Sequence, residues 1–225
     1  MLIEENNQFD TIKLVWRPGP HSAREVVGTL IRTSSTFQFH YDGEDLSRAV
    51  GLGFRGYPGM NDLDHSYNGQ SISAFASRIP SRERSDFDHL VGAWGANRDM
   101  DDFTMLGVTG GRLPTDMFEF IPVIHAVPGT SFLTDLAGIQ IYAGSEAFRT
   151  LKEGAALELV RNPENEFDRF AVEVRHEGLQ VASIKRVHSE AVSLAISNGM
   201  AVACTLVRVR MNGIIREVVV RITFS

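Results

Sequence analysis

The stretch "NPENEFDRFAVEV", residues 162–174, packs a turn, a charged loop and a strand into a short span. Asn162-Pro163 opens a turn, because a proline disfavours helix in the residue before it. Asn165 and Asp168 carry short polar side chains that bond nearby backbone groups in turns. Ala171, Val172 and Val174 then resume a β pattern. Phe167 and Asp168 stand side by side at the mouth of that strand. Two readings are open. The segment is a fold-specifying turn in which Asp168 caps backbone N–H groups, or it is a shelf on which something flat stacks.

Outward from this stretch the second half reads as strands. The candidates are residues 123–132, 138–144, 156–163, 170–186, 200–211 and 214–224. "EAFRTLKEG" (146–154) reads as a short helix. So does "VHSEAVSLAISNG" (187–199), with Val187, Ala191, Leu194 and Ala195 on its apolar face and Asn198-Gly199 as its stop. The first half shows period-two strands at 11–17, 24–33 and 36–41. Residues 41–50 read as a turn into a short helix capped by Asp42. A loop rich in Gly, Pro, Asn and Asp follows from 51 to 69. Residues 70–79 and 84–94 read as helices, with Phe87, Leu90, Val91 and Trp94 on one face. Residues 101–113 and 116–122 read as closing strands around a Gly-Gly turn. The boundary falls near Pro122, giving domains 1–122 and 123–225.

The bulk properties restrict function. The 225 residues allow one large or two small domains, and 43% hydrophobic content supports a packed core. The net charge of −6 argues against whole-surface nucleic-acid binding. The acidic excess is confined to residues 1–122, which hold 11 Lys+Arg against 17 Asp+Glu; residues 123–225 are balanced at 11 each. A basic patch on the second half therefore remains open. The single cysteine, Cys204, lies in an apolar run and is expected to be a buried thiol; one cysteine makes no internal disulfide. The acidic, polar start does not resemble a signal peptide, and no apolar run approaches membrane-spanning length. A soluble cytoplasmic protein is expected.

Catalytic motifs are sparse. Gly51, Gly53 and Gly56 spell G-x-G-x-x-G, but the preceding run is helix-like and Pro58 opposes a helix after it, so a plain loop is expected. The seven histidines (21, 40, 65, 89, 125, 176 and 188) show no ligand-like pairing. The acidic runs 62–64, 86–88 and 99–102 sit among turns and read as solvated faces. No catalytic residue, metal or cofactor is expected.

Residues 159–199 resemble the HIRAN domain, whose run is close to L-x-R-(D/E)-P-x-N-P-Y-D-x-N-A-(I/V)-x-V, followed by a hairpin and a helix. The likeness extends over most of 123–225 and implies an OB-like β-barrel, here with two short helices. Members occur in DNA repair and fork-remodelling proteins, and some grip single-stranded DNA at its 3′ end. The resemblance implies that Phe167 stacks on a base, Asp168 accepts from a 3′-hydroxyl and Asn165 positions a base or sugar. Lys185 and Arg186 would take phosphates, with Gln140 and Tyr142 beside them. Gln140 and Ile141 replace the Arg and Tyr of end-binding members, and Glu166 replaces a Pro.

The first half resembles the N-terminal subdomain of HipA-type kinases. The residues that carry this are Val27-Gly28-Thr29-Leu30, Phe39-His40-Tyr41 and the runs 75–80, 86–90 and 118–122. The resemblance implies a small α/β domain that docks and restrains a HipA-like serine/threonine kinase. The kinase core itself is absent from the pattern. Arg82, Glu83 and Arg84 stand where such proteins carry a bulky aromatic; with Trp94 they are the expected partner contacts. The expectation is thus an α+β, β-rich, two-domain, non-enzymatic, antitoxin-like regulator that also binds DNA. A DNA-repair accessory and a nucleic-acid-processing enzyme are the alternatives.

Overall fold

The computed structural model describes residues 9–20, 22–34, 36–69, 71–212 and 214–225. The reading of the polar start, and of His21, Gln70 and Gly213, falls outside the described residues. The described chain divides into two compact units, residues 9–123 and 124–225.

In the first unit β1 (Thr11–Trp16), β2 (Glu25–Arg32), β3 (Phe37–His40), β4 (Tyr67–Asn68) and β5 (Phe118–Pro122) form one antiparallel sheet in the order β4-β3-β2-β1-β5. The helices are α1 (Leu46–Gly51), α2 (Ser71–Phe75), α3 (Phe87–Gly92) and α4 (Asp102–Thr109). Alternation puts Ile12 and Leu14 in the core, where Phe39, Phe75, Phe103 and Phe120 are also buried. Burying each such side chain contributes about 1.5–3 kcal/mol. The rings meet mostly edge to face, as with Phe39 and Tyr41 at 4.8 Å.

Arg78 is buried in this aromatic core. Its guanidinium lies 5.0 Å over the Tyr57 ring and 5.2 Å over Phe118. It donates to Tyr57 Oη at 2.7 Å, to the Gly111 carbonyl at 2.9 Å and, through two nitrogens, to Asp116 at 3.2 and 2.5 Å. A cation taken out of water persists only when paired in this way.

Three expectations for this unit are corrected. Residues 101–113 are not a strand and turn but α4 and its exit. Asp101 accepts the Thr104 N–H at 2.7 Å as N-cap, and Phe103 and Leu106 face inward at helical spacing. The Gly-Gly pair stops this helix, with Gly110 in the left-handed region at φ 74°. Burial alone would raise the Asp101 pKa; the Thr104 N–H and hydroxyl and Arg32 reverse this and hold it below the usual carboxylate value. Asp42 does not cap α1, whose N-cap position is Asp45. Asp42 instead accepts from Thr29 at 2.5 Å and pairs with His40 at 3.0 Å. On α3, Phe87 and Val91 are buried but Leu90 is 43% exposed, and Trp94 lies beyond the helix, half-buried.

In the second unit β6 (Ser131–Asp135), β7 (Ala156–Arg161), β8 (Val172–His176), β9 (Leu179–Ser183), β10 (Val202–Asn212) and β11 (Ile214–Phe224) form a sheet in the order β6-β11-β10-β7-β8-β9. The helices are α5 (Ile139–Tyr142), α6 (Glu146–Arg149) and α7 (Arg186–Ser197). Val218, Val220, Ile222 and Phe224 alternate inward along β11 and meet Val172 and Val174 of β8 in one core. Burial pushes the Cys204 thiol up to about 12, which keeps it protonated.

The expected barrel is not closed by a ladder. The ends of β6 and β9 meet at one bridge, Ala137 with Ser183, through hydrogen bonds of 2.8 and 2.9 Å. Six strands were expected and six are present; β7, β10 and β11 match the expected spans, and the others differ. Residues 138–144 are not a strand. Gly138, at φ 71°, breaks the extended chain, and α5 then turns Ile139 and Tyr142 toward the core at a spacing of three. Residues 170–186 hold two strands rather than one, and the strand expected at 123–132 begins only at Ser131. The buried face of α7 is also shifted. His188, Ser189, Val192, Ser193 and Ala195 face inward while Leu194 is 42% exposed. Two inward serines hid this face from a hydrophobic count.

Burial also pushes the Tyr41 phenol up to about 12, although its oxygen accepts the Tyr57 N–H at 2.7 Å and donates to the Met60 carbonyl at 2.6 Å. An unfolded phenol ionises near pH ~10. The unfolded chain therefore releases this proton first, so the stabilisation is complete below about pH 10 and is lost as pH rises toward 12. Urea melts from pH 9 to 12 in a Cys204→Ala background, which removes the thiol that burial also raises, are expected to show this decline. Tyr41→Phe is expected to be less stable at pH 9 and flatter across the window.

Candidate nucleic-acid interface

The loop between β7 and β8 is fixed by its own polar residues. Asn165 Oδ1 accepts the Phe167 N–H at 2.9 Å and the Asp168 N–H at 3.0 Å. Asp168 Oδ1 accepts the Phe170 N–H at 2.8 Å, and the Asp168 carbonyl accepts the Ala171 N–H at 2.9 Å. This is the Asx-turn chemistry that the sequence announces. It also gives the Asn165 side-chain oxygen a backbone role.

The other oxygen of Asp168 ties the loop to α7. Ser189 Oγ lies 2.6 Å from Asp168 Oδ2 and shares its hydroxyl proton with the Arg186 carbonyl at 2.8 Å. Both carboxylate oxygens of Asp168 thus already hold internal partners. The turn reading and the shelf reading describe the same object, because the turn orients what stands on it. Phe167 is 86% exposed and is the one exposed aromatic among the described residues.

A second tie closes the same end of the sheet. Lys185, at the N-cap position of α7, is 4% exposed and ion-paired with Asp135 at the end of β6, itself 9% exposed. This corrects the expectation that Lys185 takes phosphates, since its ammonium group is buried against a carboxylate. Arg186, the next residue, is exposed. With the Ala137–Ser183 bridge, these contacts gather residues 135–142, 165–168 and 183–189. On α5, Gln140 is exposed, Tyr142 packs against the core, and Ile141 is 73% exposed. Arg169, Ser189 and Asp135 were not singled out by sequence; Ile141 was noted only as the residue that replaces the Tyr of end-binding members.

The charge around Phe167 is mixed. Glu164 and Glu166 are exposed beside it; the Arg169 guanidinium lies 4.6 Å over the Phe170 ring. The surface therefore favours a flat ligand through stacking more than a polyanion through charge. Among the described residues no cluster of His, Cys, Asp and Glu could hold a metal ion, and no helix is long and apolar enough to cross a membrane.

The expected partner contacts of the first unit are largely occupied. Arg82 donates to Asp102 at 2.7 Å and to the Met100 carbonyl at 2.7 Å, and Arg84 pairs with Asp86 at 2.9 Å. Trp94 is half-buried with the Arg112 guanidinium 5.8 Å over its ring, while Glu83 is exposed.

No protein-family profile matches the chain, and no curated protein does. Two solved structures show a local likeness. The HIRAN domain of human HLTF aligns over 42% of this chain and 74% of its own, with 21% identity and a TM-score of 0.36. A protein from Lactobacillus plantarum aligns over 42% of this chain and 99% of its own, with 15% identity and a TM-score of 0.33. Likenesses of this strength decide neither fold nor function.

If Lys185 is structural, Lys185→Met leaves Asp135 buried and unpaired, a loss of about 3–5 kcal/mol. Adding Asp135→Leu is expected to recover most of it. Urea melts of the two single variants and the double variant measure this coupling. A Lys185→Met protein as stable as the parent would return the residue to the surface role.

Proposed function

We propose that residues 124–225 bind single-stranded DNA by stacking a base on Phe167. The observation that carries the reading is a phenylalanine 86% exposed on a loop whose backbone is fixed. Leaving such a ring in water forgoes about 1.5–3 kcal/mol of burial, while stacking one base returns about 1–3 kcal/mol. The resemblance of residues 159–199 to HIRAN domains supports the same ligand. Because Asp168 already serves Phe170 and Ser189, the strand rather than its 3′-hydroxyl is the principal ligand in this proposal. No catalytic step is assigned.

Fluorescence anisotropy with a labelled oligonucleotide tests this. Phe167→Ala is expected to keep the melting temperature and weaken binding roughly 5- to 150-fold. Arg186→Ala is expected to reduce the slope of log K against log salt by about 0.7, one phosphate on a single strand. Equal affinity for 3′-hydroxyl and 3′-phosphate strands is expected; a strong preference for the hydroxyl would restore the end-binding role of Asp168. Absence of binding by the parent protein at low salt would overturn the proposal.

For residues 9–123 we propose docking to, and restraint of, a HipA-like serine/threonine kinase. The support is the order of sequence motifs, together with a loop at 81–86 held in one shape by Arg82 and by Arg98, which pairs with Asp88. Glu83 is the contact residue in this reading, since Arg82 and Arg84 are engaged internally. Co-expression with a cognate kinase toxin is expected to restore growth, and Glu83→Arg to weaken the rescue. Failure of the parent chain to rescue would favour the DNA-repair accessory.

A further inference from the structure

We infer that Arg169 takes one phosphate of the strand whose base stacks on Phe167, so that the loop between β7 and β8 grips a single nucleotide by its ring and by its charge. The inference deepens the stacking role proposed for Phe167 and rests on it. Lys185, the cation expected to hold phosphate, is buried against Asp135, which leaves that task to another group. Arg169 is exposed and follows Phe167 by two residues. Two residues of extended chain span at most about 7 Å, so the guanidinium stays within reach of a nucleotide resting on the ring.

The Arg169 side chain is oriented before any ligand arrives. Its guanidinium lies 4.6 Å over the Phe170 ring, and among the described residues it has no ion-pair partner. Stacking covers one face of the guanidinium, while its N–H groups lie in the plane and stay open to an acceptor. A planar fork held in this way matches two oxygens of one phosphate. The segment beneath it is itself fixed. The Phe170 N–H donates to Asp168 Oδ1 at 2.8 Å, and Ser189 of α7 bonds the other oxygen of Asp168 at 2.6 Å. The contacts that present Phe167 therefore also hold the platform under Arg169, which limits the entropy lost on binding.

The charge along the loop sets the path of the strand. Glu164 and Glu166 come before Phe167 and are exposed; Arg169 comes after it and is the one cation in residues 162–171. A phosphate is repelled by the two glutamates and attracted at Arg169. One cation beside three carboxylates, Glu164, Glu166 and Asp168, supports a single phosphate contact rather than a tract of them.

The test follows binding of the full chain to a labelled single-stranded oligonucleotide from about 50 to 200 mM salt. Arg169→Gln is expected to keep the melting temperature and to reduce the slope of log K against log salt by about 0.7, so that its deficit against the parent shrinks about 2.6-fold across that range. Phe167→Ala is expected to weaken binding with the slope unchanged. Arg169→Lys keeps the charge but neither the fork nor the stack, and is expected to keep the slope and bind more weakly. An Arg169→Gln protein that retains the parent slope, while Phe167→Ala still weakens binding, would overturn the role of Arg169 and leave the stacking reading intact. An Arg169→Lys protein that matches the parent in affinity would overturn the orienting role of Phe170. Absence of binding by the parent would overturn both readings together.

Discussion

A cation removed from water must be paired where it stands, and each unit of this protein is organised round one such cation. In the first, Arg78 is enclosed by Tyr57, Phe118 and Phe120 and anchored on Asp116 and the Gly111 carbonyl. In the second, Lys185 is buried against Asp135. Desolvating a charge costs several kcal/mol, so a partner in the wrong place is strongly disfavoured. These two pairs therefore fix relations that nonpolar packing alone leaves adjustable. Arg78 sets the path of residues 111–116 beside β5; Lys185 sets α7 against the end of β6.

The consequence for the second unit is a rigid platform. With α7 held by Lys185, Ser189 is in position to receive Asp168, and Asp168 in turn orders the loop that lifts Phe167 into solvent. The exposed ring is the last member of a chain of polar contacts that begins in the interior. A ring carried this way loses little conformational entropy when a flat ligand stacks on it, which is the advantage of preorganisation. The mixed charge around it implies modest salt dependence, in keeping with a chain whose second half is electrically balanced.

The first unit distributes charge differently. Its acidic excess is drawn partly into structural pairs, with Glu25 and Asp45 both clamped by Arg48 and Asp101 capping α4 beside Arg32. The arginines at one end of the sheet are grouped about a single buried glutamate instead.

The sequence by itself determined the β-rich character, the two-part organisation of its patterns and the turn at 162–170, because period-two burial and Asx chemistry are local properties. It announced Phe167 and Asp168, whose meaning depends on adjacent residues. It misplaced α4 and α5, where a glycine that ends or starts a helix is indistinguishable in composition from one in a hairpin. It offered Lys185 to solvent and set Leu194 on the inward face of α7. Only the tertiary structure decided those points: whether a lysine meets phosphate or a carboxylate, and whether a serine faces water or Asp168, depends on partners from distant segments. Periodicity records which positions are apolar, whereas the pairing of buried polar groups is settled only when the strands and helices that carry them come together.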